Sequence, residues 1–251
     1  MPRPDPLAGL KRRFETLARP VLLGLDVDGT LARIVRDPAK ARVPDGTQKL
    51  LRKLAKMDDY RVALITGRDL PALQRMARVP GAWRAVEHGG HIVRPGERAK
   101  KRKLSAEEKA KLDAFAEWAA QGPGHVEHKA RSIGLHVRRL EAAEAEARLK
   151  AAKKMARKLG LLAREGRAVV EAELESGDKG VALAKLDELT GAKSVFFAGD
   201  DLTDLPAIRY AKGRGIGLFI KSQERPQRPK QASFAIDGPG ALATFLRSLV
   251  E

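Results

Sequence analysis

Val21-Leu22-Leu23-Gly24-Leu25-Asp26-Val27-Asp28-Gly29-Thr30-Leu31 is an apolar run that stops at two carboxylates separated by one residue. The run is too short for an ordinary helix, and its continuous apolarity suits a parallel strand covered on both faces. Gly29 gives the backbone freedom to turn where the strand ends. Side chains two apart on a strand point the same way, so Asp26 and Asp28 leave it on one side. Such a pair repels itself unless protons or a cation compensate. Magnesium suits the position, because it takes oxygen ligands and usually only one or two protein carboxylates. Taken alone, the stretch more often is a plain acidic turn, and the metal-binding Asp-x-Asp of nucleotide-sugar glycosyltransferases is a rival reading. Acidic or hydroxyl residues at other strand ends would separate these readings.

They recur along the chain. Arg61 to Ile65 is the next apolar strand and ends in Thr66-Gly67-Arg68, with Asp69 and Pro71 opening a helix. A hydroxyl and a glycine amide at a helix start make an anion site. Arg84 to Glu87 gives a short strand leading into His88-Gly89-Gly90-His91, a tight turn more than a metal site, since no cysteine or third histidine lies close by. Ser176-Gly177-Asp178-Lys179-Gly180 opens a helix, and Lys179 there opposes the helix dipole unless an anion or carboxylates answer it. Ser194 to Ala198 runs straight into Gly199-Asp200-Asp201-Leu202-Thr203-Asp204, with Asp204 placed to cap the helix that follows. Gly215 to Ile220 is a further strand and Ala241 to Leu249 a closing helix. Before the first strand, residues 6 to 18 read as a helix. Asp45 reads as the cap of another that carries Leu50, Leu51, Leu54 and Met57. Strands alternating with helices predict a doubly wound parallel sheet that binds ligands at the carboxyl ends of its strands.

From about Pro95 the rhythm changes. Two charged helices, Leu104 to Gln121 and Glu141 to Lys158, enclose a hairpin of Val126 to Ala130 and Ile133 to Arg138, and a strand at Ala168 to Leu174 follows. This is an inserted α+β layer. Alternation puts Glu127 with Lys129 on one side of a strand, and His136 with Arg138 likewise, so each pair marks a wet or ligand-facing side.

Bulk properties narrow the classes. The 251 residues suffice for a full core, and 43% hydrophobic residues argue against disorder. With no cysteine, disulfides, thiolate metal sites and a cysteine nucleophile are excluded. No signal-peptide pattern occupies the first twenty residues and no run approaches the roughly 20 apolar residues of a membrane span, so the cytoplasm is the default location. The net charge of +17 raises nucleic acid as a partner. Against that, the excess is spread along the chain, only Arg98 to Lys103 is dense, and aromatics at 4% are too few for a stacking platform.

The order strand-DVDGT, strand-TGR, helix-opening lysine, strand-GDDLTD resembles the four motifs of the haloacid dehalogenase superfamily of phosphatases. The resemblance implies a Rossmann-like core at 1–94 and 173–251 around a cap domain at 95–172. Within that superfamily, the loop Ala32 to Pro44, Glu87-His88-Gly89 and above all VEHKARSIGLHVRR, which starts at Val126, are similar to the trehalose-6-phosphate phosphatase family. It implies a magnesium-dependent enzyme that releases phosphate from a sugar phosphate; the sequence leaves the oligomeric state open, with a monomer favoured. Asp26 becomes the nucleophile and Asp28 the general acid and base. Thr66, Gly67, Arg68 and Lys179 meet the phosphate. Magnesium falls to Asp26, the Asp28 carbonyl and Asp200, with Asp201 or Asp204 beyond. His88, Gly89, Glu127, Lys129, Ser132, His136 and Arg138 become substrate contacts. The chain departs from the family at Glu171-Ala172-Glu173-Leu174, where a Glu-x-Arg-Pro is usual, so an arginine contact is missing there. Phosphatases of sucrose phosphate or mannosylphosphoglycerate share the core motifs, and a basic nucleic-acid-binding protein on a vestigial phosphatase fold is the reading from another class.

Overall fold

A computed structural model describes residues 6–35, 37–97, 104–128, 131–166, 168–174 and 178–251. The chain divides into two compact units, one of residues 1–99 and 177–251, the other of residues 100–176. The first begins with α1 (Pro6–Glu15), β1 (Val21–Leu25), α2 (Asp45–Leu54), β2 (Tyr60–Ile65), α3 (Leu70–Met76), β3 (Trp83–Val86) and β4 (His91–Val93). The second holds α4 (Ala106–Ala120), β5 (His125–His128), β6 (Ser132–His136), α5 (Ala142–Lys158), β7 (Leu162–Gly166) and β8 (Val169–Glu173). The chain then returns to the first with α6 (Lys179–Thr190), β9 (Ser194–Gly199), α7 (Leu205–Arg214), β10 (Gly215–Lys221), β11 (Phe234–Asp237) and α8 (Gly238–Arg247).

The larger unit is a seven-stranded sheet in the order β11-β10-β9-β1-β2-β3-β4. Its pairs are parallel except β3 with β4. All five residues of β1 are buried, as the apolar run requires for a central strand. Val21, Leu23 and Leu25 pack with α1, α2, α3 and α8 on one face, and Leu22 packs with α6 and α7 on the other. Succession runs β1 to β2 to β3 on one side of β1 and β9 to β10 to β11 on the other. The order therefore reverses between β1 and β9, the crevice where such sheets bind ligands.

The smaller unit is an antiparallel sheet in the order β5-β6-β8-β7. Ile133, Leu135, Val170 and Ala172 form its apolar face with Leu112, Phe115 and Ala119 of α4 and Ala152 and Ala156 of α5. Cross-strand register sets Glu127 beside Gly134, Gly134 beside Glu171 and Glu171 beside Arg164 on the opposite face.

Several local expectations need correction. α1 ends at Glu15 rather than residue 18, and Leu17 continues it only as a turn bonded to the Phe14 carbonyl. Asp45 is the first residue of α2, after Pro44, and its side chain caps nothing. β6 stops at His136, so Arg138 lies exposed in the following turn and does not extend the alternation. β4, β7 and β11 were not foreseen. β4 has three residues and β11 four, while β7 (LAREG) has no apolar alternation because four of its five residues are exposed. Among the described residues, no helix is long and apolar enough to cross a membrane.

Phe196 of β9 meets Phe14 edge-on at 5.6 Å and stacks on Phe245 at 5.4 Å, joining the sheet to α1 and α8. Phe196→Ala is expected to cost about 3–5 kcal/mol in the urea-unfolding free energy. A loss below about 1 kcal/mol would contradict this packing.

Candidate active site

β1 and β9 run level, with Leu25 beside Ala198, and the Asp26 N–H donates to the Ala198 carbonyl at 2.9 Å. Both chains then leave the sheet at the crevice, carrying Asp26 from one strand and Asp200 from the other. The turn after Asp26 closes through the Leu31 and Ala32 N–H groups, which donate to the Val27 carbonyl at 3.0 and 2.8 Å. Gly29 adopts a positive φ of 80°, and a methyl group on it would overlap the Asp200 carboxylate. Only glycine allows that approach. Thr30, fully buried, directs its hydroxyl to Asp200 Oδ1 at 3.4 Å.

Lys179 answers its own riddle. Its ammonium, 4% exposed, donates to Asp26 Oδ1 at 2.7 Å and to Asp204 Oδ1 at 2.6 Å. Burial alone would lower its pKa, but Asp26 and Asp204 outweigh burial and hold it above the usual lysine range. Asp178 caps α6 by accepting from the Gly180 and Val181 N–H groups at 2.7 and 3.0 Å. Asp204 does not cap α7; its Oδ2 turns back and accepts from the Asp200 and Asp201 N–H groups at 3.0 and 2.9 Å. Asp201 faces elsewhere, paired to Arg225 at 2.6 Å.

Carboxylate oxygens of Asp26, Asp200 and Asp204 lie within 4.8 Å of one another, and all three residues are buried. Burial, then Asp204, pushes the Asp26 carboxyl well above the usual carboxylate range while Lys179 pulls it back. Burial, then the charges of Asp204 and Asp201, lift Asp200 to about 7. Asp26 Oδ2 is buried without a hydrogen-bond partner.

The β2 end supplies the neighbouring wall. Thr66 is buried, and its hydroxyl accepts the Arg68 N–H at 3.2 Å. The Arg68 guanidinium grips Asp28 through both carboxylate oxygens, at 2.7 and 2.7 Å, so Asp28 stands outside the buried carboxylate group. The turn after β3 docks against this loop, with the His88 N–H on the Thr66 carbonyl and the Glu87 N–H on the Arg68 carbonyl, both 2.9 Å. The His88 ring fills the space over Gly67 that a side chain would occupy. Gly89 takes a φ of 94°.

In the smaller unit, His136 Nε2 meets Glu127 Oε2 at 2.8 Å, and the Ser132 hydroxyl donates to Glu171 Oε1 at 2.5 Å. Glu173, at the departure from the family pattern, pairs with Arg164 at 3.0 Å. Lys129 and the basic run of residues 98–103 lie outside the described residues. Sequence reasoning missed Thr30, Asp178 and the Arg68–Asp28 grip. A hydroxyl after the Asp-x-Asp-Gly turn hinted at Thr30; the grip joins residues 40 apart and left no local sign.

The trehalose-phosphatase family model matches residues 24–239. A trehalose-phosphate phosphatase of Mycobacterium tuberculosis is 31% identical over 96% of this chain, and an uncharacterized glycosyl hydrolase of the same species is 32% identical over 95% of it. The chain spans 64% of the length of the first and 19% of the second. Among solved structures, trehalose-6-phosphate phosphatase of Aspergillus fumigatus superposes with a TM-score of 0.74 at 23% identity, covering 97% of each chain, a likeness of fold. With most of its length matched by that family model, the chain belongs to the trehalose-phosphatase family.

Proposed function

We propose that this chain is a magnesium-dependent phosphatase that hydrolyses trehalose 6-phosphate to trehalose and phosphate through an aspartyl phosphate on Asp26. The observation that carries the reading is the asymmetry of Asp26. Lys179 occupies Oδ1, while Oδ2 is buried and unpartnered, the arrangement of a nucleophile with one oxygen held and the other available. In the reaction, Oδ2 attacks phosphorus as the bond from phosphorus to the sugar oxygen breaks. Asp28 protonates that departing oxygen, then takes a proton from the water that attacks the aspartyl phosphate. Phosphate leaves and Asp26 is regenerated. The Thr66 hydroxyl, the Gly67 N–H and Lys179 face the phosphate oxygens, where fixed donors stabilise the charge of the transferring group.

Arg68 has a double use in this scheme. Its two-point grip occupies both Asp28 carboxylate oxygens, so Asp28 must be released before it can reach the departing oxygen. A phosphate dianion is the natural competitor for the guanidinium, and its arrival would free Asp28 as substrate binds.

The residues fit magnesium. Three buried carboxylates face one ammonium, leaving a formal charge of −2 if all three ionise, which a divalent cation would neutralise. Asp26 and Asp200 would hold the ion with the Asp28 carbonyl, with Asp204 positioning them from behind and Asp201 farther out. When bound, the ion neutralises charge between nucleophile and phosphate.

For the sugar we assign Glu127, Lys129, Ser132, His136 and Arg138 of the smaller unit. The polar face of the smaller sheet offers carboxylate, hydroxyl and imidazole groups, the types that pair with sugar hydroxyls.

Phosphate release from trehalose 6-phosphate, sucrose 6-phosphate, mannosyl-3-phosphoglycerate and an aryl phosphate, each with and without magnesium, tests the reading. Trehalose 6-phosphate should be preferred and chelation should abolish turnover; magnesium-independent release or a flat substrate profile contradicts it. Asp26→Asn should remove turnover on every substrate with the fold intact. His136→Ala and Lys129→Ala should lower kcat/KM for the disaccharide phosphate by at least about tenfold while changing aryl phosphate hydrolysis little. Equal losses on both substrates would remove these residues from sugar recognition.

The raised Asp200 pKa sets a second expectation for metal-free protein. Between the unfolded value near 3.9 and about 7 the folded state binds more protons at Asp200, so stability falls as pH rises through that window and stays low above it. Asp200→Asn should therefore stabilise metal-free protein at pH 8, on the order of 1 kcal/mol in urea unfolding, and leave it nearly unchanged at pH 4. Destabilisation at pH 8 would contradict the crowding of charge.

A further inference from the structure

The larger unit carries a second concavity whose lining shares no residue with the carboxylate group. It is a cleft of about 660 Å³ beside the last turn of α3 and the start of β3. That volume lies within the usual range of small-molecule sites. Its floor is apolar, made by Leu64, Leu73, Ala77 and Val79, all buried. Its lining also carries three guanidinium residues, Arg75, Arg78 and Arg84, against one carboxylate, Glu97.

Arg84 is the informative member. One of its terminal nitrogens donates to the Arg94 and Glu97 carbonyls at 2.8 and 3.0 Å, which fixes the guanidinium against the turn following β4. Its Nε is buried and, among the described residues, has no acceptor. A buried donor left without an acceptor costs free energy that a bound acceptor would recover. Glu97 is turned to the backbone instead, its Oε2 accepting the Arg94 N–H at 3.0 Å. Arg75 and Arg78 are exposed at the same cleft, and each guanidinium suits an acidic group presented to it.

We propose that this cleft is a binding site for a small organic anion with an aromatic or acyl body, the body lying on the leucine and valine floor and its acidic group meeting the arginines. An apolar floor distinguishes such a ligand from inorganic phosphate, which would find charge here but nothing to cover the floor. The inference does not depend on the chemistry assigned to Asp26.

The probe is 1-anilinonaphthalene-8-sulfonate, followed by equilibrium dialysis against the full chain so that stoichiometry is read directly. Wild-type protein should bind one equivalent saturably. The double variant Arg75→Glu, Arg78→Glu should bind at least about tenfold more weakly, with circular dichroism and aryl phosphate hydrolysis unchanged. Inorganic phosphate at equal concentration should leave the dye bound. Equal affinity in wild type and double variant would place the dye on apolar surface elsewhere and overturn the site, as would absence of saturable binding. Displacement of the dye by equimolar phosphate would overturn the role given to the floor.

Discussion

The Lys179 ammonium, shut between Asp26 and Asp204, is the interaction on which the arrangement of the larger unit's site depends. A buried lysine would ordinarily give up its proton, and a buried carboxylate would ordinarily take one. Here each supports the charge of the other. Removing either partner would leave an uncompensated buried charge, a far larger penalty than the net worth of the pair. The ammonium also breaks the symmetry of the Asp26 carboxylate and turns Asp204 toward the Asp200 loop. One cation thereby ties the start of α6, the end of β1 and the turn after β9 into a single electrostatic unit.

Topology makes that knot possible. The reversal of strand order between β1 and β9 opens the crevice, and the level register of the two strands delivers Asp26 and Asp200 to it at the same height. α6 crosses the opposite face from α1, α2, α3 and α8, and Asp178 satisfies its first amides, offsetting the poor fit of a lysine to a helix start. Packing tolerances are narrow: Gly29 and Gly67 are bare because the Asp200 carboxylate and the His88 ring occupy the space beside them. The smaller unit follows different rules, an antiparallel sheet with helices on one face and a row of charged and hydroxyl groups on the other.

Much of this was legible in the chain. A buried parallel strand must be apolar throughout, so β1, β2 and β9 announced themselves, and so did the carboxylates and hydroxyl where they stop. Lys179 was legible as a misfit, a cation where the helix dipole disfavours one. The edge strands β4 and β7 were not, because β7 exposes most of its side chains and β4 is three residues long. Capping was misread at Asp45 and Asp204 because an acidic residue at a helix start serves the dipole, the cap or a neighbouring turn equally well in sequence. Only the fold shows that Asp204 serves Lys179 and two backbone amides. Arg68 with Asp28, and Arg164 with Glu173, are contacts between separate strand ends or strands, which no local pattern encodes.

In the proposed reaction the same geometry divides labour between two aspartates of one turn. Asp26 is buried and held by a lysine, while Asp28 is half-exposed and held by an arginine that a phosphate could draw away. The claim at the centre is that phosphate passes through Asp26. Acid quenching within a single turnover on trehalose 6-phosphate, followed by borohydride reduction and peptide mass spectrometry, reads that step directly. The account predicts an acyl phosphate on the peptide containing Asp26, converted there to homoserine. Phosphate found on another residue, or rapid turnover with no covalent adduct at any time point, would contradict it.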